Sequence, residues 1–319
     1  MNKFYMAKRY KVFTWPIHQQ YLFALAQDDV DFFVPEGQNA SFKAQFSTQN
    51  NVTEIAFADL KNLDFDLILF QDEASYQAKQ FEVLSDQQRQ LPKIYLELNP
   101  PKQHPTNAKH FIKDTDVQLV HINHYNALMW DNNELNVTVI ENGVPENPLL
   151  FSGEKPVGVI VLEEFPADDR VTGMDIFRQV KEALPIAVIQ IGVDGVTYQN
   201  LPEKLSSYRF LFCPDRYQSP QFSVFMAMML GMPVVGLGTT ALPTILENEV
   251  SGFVHSDLNY LIGKIKNLLN DQKLAVQIGE NAHQTAIKFY NLNRFLADWN
   301  QLFARTVNKS ILTNYNLIA

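Results

Sequence analysis

Short apolar runs alternate with amphipathic stretches along most of the chain. Lys11 to Trp15 predicts a first strand, and Gln19 to Ala26 a helix whose apolar face carries Tyr21, Leu22 and Leu25. Asp31 to Pro35 reads as a second strand, and the Gln-, Asn- and Ser-rich region from Gly37 to Val52 as a loop. Phe65 to Phe70, FDLILF, is a continuous apolar run, as expected of a strand covered on both faces of a parallel sheet. A helix over Ala74 to Gln90 and strands at Lys93–Leu96, Leu119–Ile122 and Val137–Ile140 follow. A second alternation begins at Val157. It predicts strands at Val157–Leu162, Ile186–Ile191 and Phe210–Cys213, a helix over Gly173–Leu184, and late helices at Leu258–Asn270, Leu274–Phe289 and Leu292–Val307. Strands alternating with helices imply parallel, doubly wound sheets, so the chain reads as two Rossmann-like α/β halves. The expected linker is Asn147–Glu154. That gives domains at residues 1–148 and 149–291 and a final helical segment at 292–319.

Tyr217 to Val254 carries the densest pattern. Ser219 suits a helix cap and Pro220 the first helical position. Phe222, Phe225, Met226 and Met229 recur at helical spacing, and Gly231 ends the helix. Pro233 to Val235 predicts a short buried strand, with Gly236, Gly238, Thr239 and Thr240 in the loop at its carboxyl end. Ligands of open α/β sheets bind beyond the carboxyl ends of strands, and helix starts attract phosphate. The expected anion contacts are therefore Ser219 and Gln221 at the helix start and Gly238, Thr239 and Thr240 in the loop.

Composition narrows the function classes. The chain has 319 residues, 46% of them hydrophobic and 19% charged, which fits a packed globular protein of two ordinary domains. A formal net charge of −9 argues against nucleic acid as a partner. The single cysteine, Cys213, sits in the apolar run RFLFCP, reads as a small buried hydrophobe and fits a reducing cytoplasm. The first residues lack the features of a signal peptide, and no run of about 18 apolar residues predicts a membrane span. Lys3, Lys8, Arg9 and Lys11 form a small basic cluster, expected to be a solvated strand edge or, at most, a weak peripheral contact with anionic lipid.

The stretch Gly231-Met232-Pro233-Val234-Val235, the following Gly/Thr loop and Glu247-x-x-x-Ser251-Gly252-Phe253-Val254 resemble the donor-nucleotide segment of GT-B glycosyltransferases. They resemble above all the retaining family-four group, the glycosyl transferases group 1. Val139-Ile140-Glu141-Asn142-Gly143-Val144 is similar to the segment that closes the first domain in that group, and Phe295 and Trp299 fit its final helix, which commonly crosses back to the first domain. The resemblance is firm from about Phe210 to Trp299 and thin in the first domain. It departs at two places: Gln218 and Met226 stand where the group carries two glutamates, one for the sugar hydroxyls and one for the ribose.

The resemblance implies two Rossmann-like domains facing across a cleft, a nucleotide-sugar donor, a saccharide or glycoconjugate acceptor, and hexosyl transfer without an obligatory metal or other cofactor. In the group an Arg and a Lys after the first strand of the second domain hold the donor phosphates. Arg170 is the candidate here, either as a phosphate ligand or as an exposed salt-bridge residue, with Gly173 opening the next helix. Gln218 keeps hydrogen-bonding capacity without charge, and Met226 reads as core filler. His18, at the first strand-to-helix turn, is either a general base on the acceptor side or a locally satisfied histidine. Glu97, after the strand at 93–96, is a second candidate facing the cleft. His121 and His124 have no third ligand in the pattern to make a metal site. Asp64-x-Asp66 and Asp114-x-Asp116 adjoin strand starts, where a metal-binding Asp-x-Asp is not expected. Loss of both glutamates keeps a rival open, a catalytically degenerate module that binds a saccharide or a partner protein. An epimerase of the same architecture is a third reading, for which no acid/base set can be placed.

Overall fold

The computed structural model describes residues 9–38, 40–147, 151–163 and 168–318, with the side chains of residues 41 and 310–318 excepted. Lys3 and Lys8 of the basic cluster lie outside the described residues. Arg9 is committed to ion pairs with Asp29 at 3.1 Å and Asp31 at 2.7 Å.

Among the described residues twelve strands form two wholly parallel sheets. In the first, β1 (Lys11–Thr14), β2 (Asp31–Pro35), β3 (Val52–Ile55), β4 (Leu67–Phe70), β5 (Lys93–Glu97), β6 (Val117–His121) and β7 (Asn136–Val139) lie in the order 3-2-1-4-5-6-7. In the second, β8 (Lys155–Leu162), β9 (Ile186–Gln190), β10 (Tyr208–Cys213), β11 (Val234–Leu237) and β12 (Phe253–His255) lie in the order 12-11-10-8-9. All four residues of β4 are fully buried. Leu67 and Leu69 face one apolar cluster and Ile68 and Phe70 another, the period-two alternation that requires a cover on each face. In β10, Leu211 and Cys213 likewise join one cluster and Phe210 and Phe212 the other. One cluster is common to the two halves of the chain. It takes in Leu22, Phe32 and Leu69 from the first and Leu211, Phe222 and Trp299 from the second.

Two expectations from the pattern need correction. The region read as a loop from Gly37 to Val52 contains a helix, Ala40–Gln45, and runs into β3. The Phe42 and Phe46 rings pack there in a tilted pair with centroids at 4.4 Å, and Asn51 donates its amide to the carbonyls of Asp28 and Val30. The single helix expected over Ala74–Gln90 is broken. A π-helical turn, Ser75–Lys79, passes into Gln80–Val83, and Leu84 is extended. Ser85 and Gln88 then cap each other reciprocally and start a separate turn, Gln88–Gln90.

The last helix, Leu292–Ile318, lies against the first half of the chain. Trp299 donates its indole N–H to the Tyr21 hydroxyl at 3.3 Å, and Arg294 donates to the carbonyls of Glu141 and Asn142. Gly143 permits this approach, because a Cβ there would lie 2.2 Å from that of Phe295.

Candidate functional site

A cavity of about 350 Å³ lies where the carboxyl ends of the two sheets meet. The first half contributes His18, Tyr21, Leu98, Asn99 and Lys102, and the second Glu163, Asp168, Asp215, Gln218 and the start of the Phe222–Leu230 helix. Lys102 is the one lysine of the lining, which holds no arginine among the described residues, against three carboxylates, Glu163, Asp168 and Asp215.

The turn after β1 places His18. Its backbone N–H donates to Gln71 Oε1 at 3.1 Å, and Gln71 in turn donates to the buried Thr14 hydroxyl at 2.9 Å. This buried glutamine fixes the strand-to-helix turn, so His18 is held at the wall of the cavity. Glu97 is not among the lining. It is the last residue of β5, its Oε1 accepts the Asn99 N–H at 3.1 Å, and its Oε2 lies 3.7 Å from Nε2 of buried His110. The strand alternation turns the carboxylate into the first half while its neighbours Leu98 and Asn99 face the cleft. His121 is occupied in the same interior, with Nε2 2.7 Å from Asn132 Oδ1, and burial lowers its pKa. No group of three metal-ligating side chains occurs among the described residues.

Ser219 does not cap the helix. Gln221 occupies the cap position and the helix starts at Phe222. Ser219 instead reaches the other half of the chain. Its buried hydroxyl donates to Asn126 Oδ1 at 3.1 Å and accepts from the amides of Asn126 at 2.9 Å and Asn123 at 3.3 Å. This is a polar latch at the edge of the cavity. Ser219→Ala would take the donor from the buried Asn126 Oδ1 and leave the Asn126 amide with the Leu98 carbonyl alone. It is expected to cost about 1–3 kcal/mol in urea denaturation and to speed amide exchange around residues 215–221.

The glycine–threonine loop also departs from expectation. Gly238, Thr239 and Thr240 do not line the cavity. The Gly238 N–H donates to His255 O and the Thr239 N–H to Leu237 O. The two hydroxyls donate to the carbonyls of Asp215 and Gln218, both at 2.9 Å. The loop thus buttresses the 215–218 segment from behind. Gln218 does face the cavity, and Met226 is core, 4% exposed.

Arg170 turns to solvent, with its side chain 75% exposed and paired with Asp175 at 3.1 Å, and does not line the cavity. Of the two roles open to it, the structure supports the salt bridge. Arg216 binds the same Asp175, which holds that carboxyl below its ordinary range. Gly173 precedes the Met174–Ala183 helix at φ +68°, and a Cβ there would lie 1.8 Å from the Pro214 carbonyl oxygen. Only glycine fits that approach, which brings the helix start against the residue before Asp215.

Sequence reasoning passed over Glu163, Asp215 and Lys102. Glu163 Oε1 accepts the Ser223 N–H at 2.7 Å, so a carboxylate already sits on the start of the Phe222–Leu230 helix. Asp215 is 7% exposed and follows β10. Burial pushes its carboxyl up to about 6, against the weaker pull of hydrogen bonds from Cys213 and Gln221. Burial likewise pushes the Cys213 thiol up, which keeps it a donor, with Sγ 3.2 Å from Asp215 Oδ2. Both carboxylates stand just beyond strand ends, the signal that could have found them.

Comparison with known proteins fits this geometry. Residues 175–301 match the family model described as glycosyl transferase-like. Anabaena HepE in complex with UDP-glucose aligns over 94% of this chain and 100% of its own, with a TM-score of 0.68 at 14% identity. The fold is GT-B. Sucrose-phosphate synthase of Thermosynechococcus elongatus aligns over 93% of this chain and 99% of its own at a TM-score of 0.62 and 13% identity. TarM aligns over 77% of this chain and 57% of its own at 0.54 and 17%. A poly(ribitol-phosphate) alpha-N-acetylglucosaminyltransferase of Staphylococcus aureus (strain COL) is 26% identical over 110 residues, 33% of this chain. The match spans 22% of the length of that curated relative. No helix among the described residues is long and apolar enough to cross a membrane.

Proposed function

We propose that this chain is a cytoplasmic nucleotide-sugar-dependent glycosyltransferase, passing a hexose-like sugar to a saccharide acceptor in the synthesis of a bacterial surface polymer or glycoconjugate. The observation that supports this most is the cavity between the two sheet ends, in a GT-B fold that aligns end to end with a structure holding UDP-glucose. On this reading His18 and the Asn99–Lys102 loop face the acceptor side, and Gln218, Gln221 and Asp215 face the donor. Lys102 is the side chain placed to meet a phosphate from across the cleft, since Arg170 points away. No step of the reading uses a metal.

One observation favours a second reading. The Glu163 carboxylate takes up the Ser223 N–H that a phosphate would otherwise accept, and no arginine among the described residues lines the cavity. A module that binds a neutral saccharide, or a partner protein, without turnover would tolerate both features. Thermal-shift and calorimetric titration with UDP, GDP, ADP, CDP and their sugars separates the two. The transferase reading expects one nucleotide to stabilise the chain, with about tenfold weaker binding for Lys102→Ala and unchanged binding for Arg170→Ala. Silence across the panel at millimolar concentration would leave the second reading standing and remove the first.

A further inference from the structure

Within the cavity one cluster of side chains is short of hydrogen-bond donors. The buried Asp215 carboxyl receives the Cys213 S–H at 3.2 Å, a weak donor, and the Gln221 amide at 3.4 and 3.5 Å, both long. No lysine or arginine is paired with it among the described residues. Gln221 Oε1 is itself buried with no donor, and so is the hydroxyl oxygen of Tyr217. All three residues line the cavity. Buried polar atoms are paired as a rule, and the under-satisfied Asp215 carboxyl and Gln221 Oε1, in contact with each other in the lining of a cavity, call for a ligand.

The chemistry of that ligand follows from what the wall lacks. A phosphate brings only acceptors and negative charge, and the Asp215 carboxylate would repel one. A uracil edge presents one N–H between two carbonyls, which sets carbonyl oxygens against acceptors. Adjacent hydroxyls supply two donors at neighbouring positions and can also accept from the Gln221 amide. We infer that Asp215 and Gln221 form a subsite for a vicinal diol of a sugar ring. Two sources carry that group: the ribose of a nucleotide, and the hexose of a donor or acceptor. The inference rests on the reading that a sugar enters this cleft. The wall would supply the acceptors that Gln218 and Met226 lack as charged groups, from different positions in the chain.

The cost of the arrangement supports it. A carboxyl held in an apolar surround without a cation destabilises the fold that carries it, and such groups concentrate at functional sites. The Thr239 hydroxyl and Gly173 both pack on the backbone at this point, through Asp215 O and Pro214 O.

Calorimetry on the full chain tests the inference with UDP-glucose, UDP, 2′-deoxy-UDP, methyl glucoside and its 2-deoxy analogue, using wild type, Asp215→Asn and Gln221→Leu. Each variant is expected to bind the matching hydroxylated probe about tenfold or more weakly. The corresponding deoxy probe, which keeps a neighbouring hydroxyl, is expected to lose less on substitution than the hydroxylated one, a non-additivity that marks direct contact. The probe pair that shows it, ribose or hexose, names the source of the diol. Wild-type affinity for UDP-glucose in both variants would overturn the inference and leave the transferase reading intact. Binding of no probe by wild type would overturn the reading and the inference together. Where Gln221→Leu fails to fold, Asp215→Asn decides alone.

Discussion

Trp299→Ala is expected to cost the fold about 3–5 kcal/mol, as large-to-small changes at buried aromatics do. Trp299 is 1% exposed and sits among Tyr21, Phe295 and Phe303, with ring centroids at 5.9, 6.5 and 5.3 Å. It belongs to the last helix, while Tyr21 belongs to the first, so the contact spans nearly the whole sequence. The loss combines apolar transfer, a cavity that the surrounding rings cannot fill, and a donor taken from the Tyr21 hydroxyl. That hydroxyl is buried, which raises its pKa, and it keeps only a long bond to Ile140 O at 3.5 Å. Tyr21 also lines the cavity, so the substitution is expected to weaken ligand binding as well as the fold. Urea denaturation reads the first effect, with Trp299→Phe as the control that restores bulk but not the N–H and recovers more than half of the loss. A cost below about 1 kcal/mol would show that the last helix is not integral to the first half.

The parallel sheets were legible in the sequence because strands covered on both faces, such as Leu67–Phe70 and Phe210–Cys213, leave unbroken apolar runs that few other elements produce. The edge strand β3 was not, since Val52–Ile55 has no fully buried residue and its neighbours are polar. Ser219 and Pro220 carry a helix-start signal in the local sequence, yet the Ser219 hydroxyl is drawn to Asn126, 93 residues away. Local propensity cannot register such a contact. Of the predicted glycine–threonine loop, Gly236 lies inside β11 and Gly238 to Thr240 follow its end, but the direction of the amides depends on His255 and Leu237, which no pattern reveals. Arg170 stood at the expected position and is claimed by Asp175. Glu163 and Asp215 stand just beyond strand ends, but what sets them apart, the Ser223 N–H on one and burial of the other, comes from tertiary packing.

Asp215→Asn is expected to stabilise the protein by about 3 kcal/mol at pH 8, in contrast to its effect on ligand binding. The sign follows from which state holds the proton. In the unfolded chain the carboxyl titrates at its ordinary value of 3.8, and in the folded chain burial pushes it up to about 6. Below both values each state is protonated and the group is neutral to stability. Between about pH 4 and 6 the folded state keeps a proton that the unfolded state has lost, so raising the pH pulls towards unfolding. Above about 6 the folded chain carries a buried carboxylate, and the full penalty is in place. Its neighbours do not titrate in that window: the Cys213 thiol is held up by burial, and Gln221 is neutral. Asparagine keeps the shape and can still accept from both, without the charge. The measurement is urea denaturation of wild type and variant from pH 4 to 8. The difference between the two stability curves should be small at the acid end, grow through about pH 6 and then level off. Curves that stay parallel would show that the carboxyl is solvated in the folded chain, and the case for it as a strained ligand-facing acid would go with that.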